Sequence, residues 1–207
     1  MLDKNIILIG YSGHGFVVAD TAIENHLKLV AYAENSIVQN NPFHLNYAGS
    51  ESDNDFFEKN KEAKYLIGIG DNTIRERIYN LLKQKKCEIL TLISQSASIS
   101  KTVSIGNGTF VNKNVAINAL AKVGQNVILN TACIIEHDCI IFDSVHIAPG
   151  AVLAGNVIVG ERSIIGANSV IKQGVIIGKD VVVGAGTVVI KNISDGQKIV
   201  GNPSRYI

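Results

Sequence analysis

Charge of either sign is scarce in this chain of 207 residues and nearly cancels, with 19 Lys and Arg against 18 Asp and Glu for a formal net charge of +1. That balance provides no general field for nucleic acid or an anionic membrane, so partners are expected at local sites. No apolar run approaches the roughly 20 residues that cross a bilayer. The apolar start at Ile6–Ile9 is too short, and too soon broken by glycine, to act as a signal peptide. Cysteine is sparse as well. Cys87, Cys133 and Cys139 make an odd count without framework spacing, which excludes a disulfide scaffold and points to reduced thiols in a cytoplasmic protein. With 46% hydrophobic and 18% charged residues, the composition is that of a folded protein rather than a disordered one.

What the chain does have is an unbroken six-residue period. From Ile99 to Val189 every sixth residue is aliphatic, and a second register four places later, Val103 to Ile193, holds small or β-branched side chains and the two cysteines 133 and 139. A helix would place apolar residues at a spacing of 3.6 and a flat strand at a spacing of two, whereas a hexapeptide period marks a parallel β-helix. Three hexapeptides make one triangular turn, so roughly five turns are expected, with large aliphatics stacked inside. Gly106, Gly124, Gly160, Gly166, Gly178 and Gly184 each follow an aliphatic, where they are expected to permit tight turns.

The first part of the chain reads differently. Residues 5–10 (NIILIG) form an apolar strand, then Tyr11-Ser12-Gly13-His14-Gly15 leads into a helical pattern. A strand, a glycine loop and a helix in that order let backbone N–H groups approach a phosphate, although glycines at 10, 13 and 15 match the dinucleotide fingerprint imperfectly. Residues 27–33 read as a second strand ending at Glu34-Asn35, where doubly wound units place an acidic group on a ribose or base. A short helix is expected around 55–61, a third strand at 65–70 ending in Gly70, and a helix to residue 86 capped by Thr73 with Glu76. Residues 87–93 read as a fourth strand. This alternation implies a small Rossmann-like parallel α/β domain over residues 1–95, followed by the solenoid and a C-terminal tail over 96–207.

Of five histidines, only His137 and His146 fall in the solenoid, and neither occupies an inward register. His137 is flanked by Glu136 and Asp138; a carboxylate on one ring nitrogen fixes the tautomer and raises the basicity of the other. One full turn later stands Gly155, whose missing side chain is expected to leave a notch above the imidazole for a narrow ligand. Ala148, Ala154, Ala167 and Ala185 line neighbouring faces and leave backbone amides accessible.

A Ser-Gly-His-Gly loop, an uninterrupted hexapeptide solenoid carrying Ile-Glu-His-Asp-Cys, then His146, Ala154-Gly155-Asn156-Val157 and a final Gly201-Asn202-Pro203 together resemble the bacterial sialic acid O-acetyltransferase and 4-amino-sugar N-acetyltransferase family. The resemblance covers essentially the whole chain. It implies a left-handed parallel β-helix, a homotrimer, and acetyl-CoA in the groove between solenoids, with no metal. It makes His137 the general base and Asp138 its supporting carboxylate, with His146 near the acetyl thioester and Gly155, Ala167 and Ala185 along the pantetheine arm. It assigns the diphosphate of a nucleotide sugar to Ser12, Gly13 and His14, its uridine to Glu34 and Asn35, and a further part of that ligand to Gly70. Relatives often carry two acidic residues where this chain has Glu34-Asn35, and often glutamate where it has Asp138.

The activity that follows is acetyl-CoA-dependent N-acetylation of a UDP-linked 4-amino-4,6-dideoxy sugar for bacterial glycan biosynthesis. O-acetylation of sialic acid or another sugar is the alternative, and a non-catalytic ligand-binding solenoid is a more distant one. A zinc solenoid of the γ-carbonic anhydrase kind requires three histidine ligands per site, and the solenoid holds two.

Overall fold

The computed structural model describes residues 5–207, which fall into two compact units, one ending at Leu92 and the other beginning at Ile93. In the first, strands β1 (Ile6–Ile9), β2 (Leu29–Ala33), β3 (Asn46–Tyr47), β4 (Lys64–Ile67) and β5 (Glu88–Ile89) form a parallel sheet in the order β3-β2-β1-β4-β5. Helices α1 (Gly13–Glu24), α2 (Phe56–Lys59) and α3 (Asn72–Gln84) intervene. Four buried residues in a row make up β1, as a strand covered on both faces requires.

Three details differ from expectation. The N-cap of α3 is Asp71, whose Oδ1 accepts from the Ile74 N–H at 2.8 Å, so the helix begins before Thr73 and the Thr73–Glu76 capping box does not form. Pairing at 87–93 is split, because only Glu88–Ile89 joins β4 while Leu92–Ile93 opens a solenoid sheet. The polar stretch before α2 contributes β3, whose residues are exposed and carry little sequence signal.

The second unit is a parallel β-helix whose strands, all but Lys198–Val200, have two residues, in sheets of six, five and eight strands. Each strand pairs with the one three hexapeptides later, so that Ile117, Ile135, Leu153, Ile171 and Val189 follow one another up one face. All five are at most 1% exposed. Burying each is worth roughly 1.5–3 kcal/mol, so the periodic aliphatics supply the main stabilisation. From Thr109 onward the second register is buried too, and where it is polar it is satisfied: the Thr109 hydroxyl donates to the Gly124 carbonyl at 2.9 Å and that of Ser163 to the Gly178 carbonyl at 2.7 Å. At the open end, Lys198–Val200 continues the third sheet and pairs antiparallel with Arg205–Tyr206.

The corners correct the reading of the glycines. The residue that takes a left-handed backbone is the fourth of every hexapeptide from the one holding Gly108 to the one holding Gly186, as at Asn114, Asn126, Asp138, Asn156, Asn168 and Asp180. Gly106 and Gly160, one place after the aliphatic, have ordinary backbone. A Cβ there would lie 2.6 Å from the Gly124 carbonyl group and 2.5 Å from the Lys179 nitrogen in the next coil. These glycines serve close approach between coils, not turn conformation.

Four of these positions hold none of glycine, asparagine or aspartate: Leu120, Ala132, Ser144 and Arg162. Leu120 sits at φ 65°, 55% exposed, with its N–H bonded to the Thr102 hydroxyl at 2.9 Å. A left-handed backbone costs an L-residue about 1–2 kcal/mol, and asparagine bears it more easily. Leu120→Asn is therefore expected to raise stability by about 1 kcal/mol in denaturant unfolding; a loss would show that the leucine side chain outweighs the backbone strain.

Candidate active site

His137 occupies the corner between the six- and five-stranded sheets, and the left-handed Asp138 follows it at φ 60°. Their side chains meet, with His137 Nδ1 2.9 Å from Asp138 Oδ2. A carboxylate only accepts, so Nδ1 donates and Nε2 keeps the free lone pair of a base. Both side chains are about half exposed, at 53% and 50%, so the pair contributes little stability and its effect is orientation.

Gly155 lies one coil on, and its place inverts the expectation. The imidazole itself fills the space the glycine leaves, since a Cβ there would sit 2.5 Å from both Cε1 and Nε2 of His137. No notch for a ligand remains at that point. The glycine instead seats the ring.

His146 begins a strand of the eight-stranded sheet and faces outward. Its Nε2 lies 3.2 Å from Asn130 Nδ2. Asn130 Oδ1 accepts from the Thr131 N–H at 2.8 Å and from Asn112 Nδ2 at 3.0 Å, which fixes the amide with its nitrogen toward the ring. Nε2 is therefore an acceptor, and the neutral imidazole carries its proton on Nδ1. Asn112, 1% exposed, is anchored by a second bond to the Thr131 hydroxyl at 2.8 Å. Sequence reasoning missed Asn112 and Asn130, although their separation of one full turn was there to be found.

Ala167 and Ala185 are not brought to His137. They lie one coil apart at the corner that follows the eight-stranded sheet, whereas His137, Asp138 and Gly155 share another corner.

In the first unit, the carboxyl ends of β1, β2 and β4 border a cleft of about 390 Å³ lined by Ser12, Glu34, Asn35 and Gly70 among others. Glycine makes its floor possible: a Cβ on Gly15 or on Gly68 would strike the Gly10 carbonyl. Gly13 meets nothing within 4 Å, so its freedom from a side chain is not explained by packing. The Glu34 carboxylate accepts from the Tyr11 N–H at 2.6 Å and holds the β1–α1 loop, while Asn35 Oδ1 lies 3.4 Å from the Ser50 hydroxyl. Burial, with the nearby Arg75 cation adding to it, pushes the His14 pKa down to about 4, so this imidazole is neutral near pH 7. Burial likewise lowers Arg75 to about 9; it is 1% exposed and donates to the Gly70 carbonyl at 3.0 Å and Asn72 Oδ1 at 2.8 Å, bracing the β4–α3 loop.

Residues 5–82 match the family model described as the PglD N-terminal domain, and residues 88–204, more than half of the chain, match that of the GMPPB C-terminal domain. The chain belongs to the GMPPB C-terminal domain family, and its PglD-type N-terminal domain and its relatives make it a hexapeptide-repeat sugar acyltransferase. This acyltransferase is 28% identical to a mutant of perosamine N-acetyltransferase from Caulobacter crescentus in complex with CoA and GDP-perosamine, with a TM-score of 0.94 over 99% of this chain and 97% of that one. It is 29% identical, with a TM-score of 0.90, to the acetyltransferase domain of PglB from Neisseria gonorrhoeae in complex with acetyl coenzyme A, over 99% of this chain and 100% of that one. A curated relative, UDP-N-acetylbacillosamine N-acetyltransferase from Bacillus subtilis, is 32% identical over 110 residues, 52% of this chain and 51% of the relative. The match thus spans about half the length of that relative. The solenoid of this acyltransferase is the left-handed parallel β-helix of the family. None of the helices described is long and apolar enough to cross a membrane.

Proposed function

We propose that this acyltransferase uses acetyl-CoA to N-acetylate the amino group of a UDP-linked 4-amino-4,6-dideoxy sugar. The observation that carries the reading is the His137 Nδ1 to Asp138 Oδ2 bond of 2.9 Å, which leaves Nε2 as a correctly oriented base on an exposed corner. As the amine attacks the thioester carbonyl, His137 Nε2 takes its proton, and no covalent enzyme intermediate is needed when both substrates are held in place. His146 stands on the eight-stranded sheet and not at the His137 corner, so as a donor to the charge that develops on the carbonyl oxygen it would come from a neighbouring copy of the chain.

The proposal assigns the nucleotide sugar to the first unit, through Ser12, Gly13, His14, Glu34, Asn35 and Gly70, and acetyl transfer to the solenoid. His14 then acts as a neutral hydrogen-bonding group. Gly155, Gln173 and Lys191 follow His137 up its corner, and three coils at about 4.8 Å set Lys191 roughly 14 Å from the base, a span suited to a pantetheine arm ending in phosphates. Ala167 and Ala185 stand at another corner, so in this reading they meet the arm from a neighbouring copy across the groove of a homotrimer. Free thiols at Cys87, Cys133 and Cys139 fit a cytoplasmic enzyme.

NMR of the product formed from acetyl-CoA and the UDP-4-amino sugar tests the reaction. An amide at C4 is expected; an ester on a sugar hydroxyl would replace N-acetylation by O-acetylation. A second test concerns His146. Asn130→Asp removes the donor that faces Nε2 and is expected to lower kcat about tenfold at unchanged thermal stability, whereas unchanged kcat would take His146 out of the mechanism.

A further inference from the structure

The residues lining the cleft of the first unit bear three carboxylates, Glu34, Glu51 and Asp71, and one cation, Arg77. Taken alone, that balance repels a nucleoside diphosphate. Two of the carboxylates are committed to the fold, Glu34 to the Tyr11 N–H and Asp71 to the Ile74 N–H. Neither nearby basic group compensates. The His14 imidazole is neutral near pH 7, and the Arg75 guanidinium is buried and turned to carbonyls and an amide.

Arg77 differs on each count. It is exposed on α3, one turn beyond the cleft-lining Ile74, and the side chains of Arg77 and Glu51 make no hydrogen bond or ion pair among the described residues. Both also line an adjoining hollow of about 480 Å³ with Ser52, Asn80 and Gln84, so they form the partition between the two spaces. A guanidinium placed there has its flat fork of donors available for phosphate oxygens, the geometry that planar bidentate recognition uses.

We propose that Arg77 is the diphosphate-binding side chain of this cleft and that Glu51, beside it, opposes the same phosphates. Arg77 then sets affinity for the phosphorylated ligand, and Glu51 limits it so that product is released. This assignment rests on the nucleotide-sugar reading above. It concerns a residue that the glycine loop and the end of β2 do not include.

Calorimetric titration of the full chain with UDP, GDP and uridine tests it. Arg77→Gln is expected to weaken UDP binding about ten- to a hundredfold and to leave uridine binding within about twofold, because only the phosphates are lost as partners. Arg77→Lys should recover part of the affinity, and Glu51→Gln should tighten UDP about two- to fivefold. Arg77 is exposed, so the fold is expected to survive, and a thermal midpoint measured on each variant checks this. UDP affinity equal in wild type and Arg77→Gln overturns the assignment alone. A wild-type protein that binds neither UDP nor GDP overturns it together with the nucleotide-sugar reading.

Discussion

Replacement of His137 by alanine is expected to lower kcat by about two to four orders of magnitude, the usual contribution of a positioned general base. The expectation follows from three facts. The ring is exposed at a corner, its Nδ1 is tied to Asp138, and its other nitrogen is left as a free acceptor. None of these is required by the solenoid, whose core is built from the inward registers, so the variant should fold with an unchanged thermal midpoint. Steady-state kinetics with both substrates saturating is the check. A drop of less than tenfold would remove His137 from the role of base.

Gly155→Ala is expected to cost almost as much from a residue that has no polar side chain. Its new Cβ would lie 2.5 Å from His137 Cε1 and Nε2, far inside van der Waals contact. The neighbouring coil is fixed by parallel pairing of Ile134 with Val152 and Ile135 with Leu153, so the ring has to move and not the backbone. A displacement of about 1 Å at a reacting atom costs on the order of a hundredfold in rate. Because the imidazole can swing toward solvent, stability should change by less than about 1 kcal/mol. The diagnostic is the double variant: in the His137→Ala background, Gly155→Ala should bring little further loss, since its effect passes through the ring. A full additional hundredfold would show that Gly155 acts on catalysis by another route, such as its backbone N–H.

Where the sequence was legible, a strict period made it so. One aliphatic every six residues leaves no other fold able to bury them all, and Ile135, Ile141 and Ile147 are each at most 1% exposed. The pairing of His137 with Asp138 was legible because adjacent residues at a corner have few places to go. Gly155 shows the limit of that reading. Its position one turn above His137 was correct, but whether a void stays open or is filled by the neighbouring ring depends on a rotamer that spacing does not determine.

Asn130 and Arg77 mark two further limits. The direction of the Asn130 amide, and with it the His146 tautomer, is set by the Thr131 N–H, a backbone group that looks alike in every sequence. Arg77 reads as one more solvated charge on an amphipathic helix until the sheet order places that face of α3 beside the ends of β1 and β2. The missed cap at Asp71 has a simpler cause: Asp71 and Thr73 are both good caps two residues apart, and the backbone chose the first.

The most direct test of the central claim is coenzyme A release from acetyl-CoA by the purified protein, offered a UDP-4-amino-4,6-dideoxy sugar, GDP-perosamine or free sialic acid, with the His137→Ala variant beside it. Turnover on the nucleotide-linked amino sugar that is lost in the variant is the predicted result. Turnover confined to sialic acid, or equal release by both proteins, would contradict it.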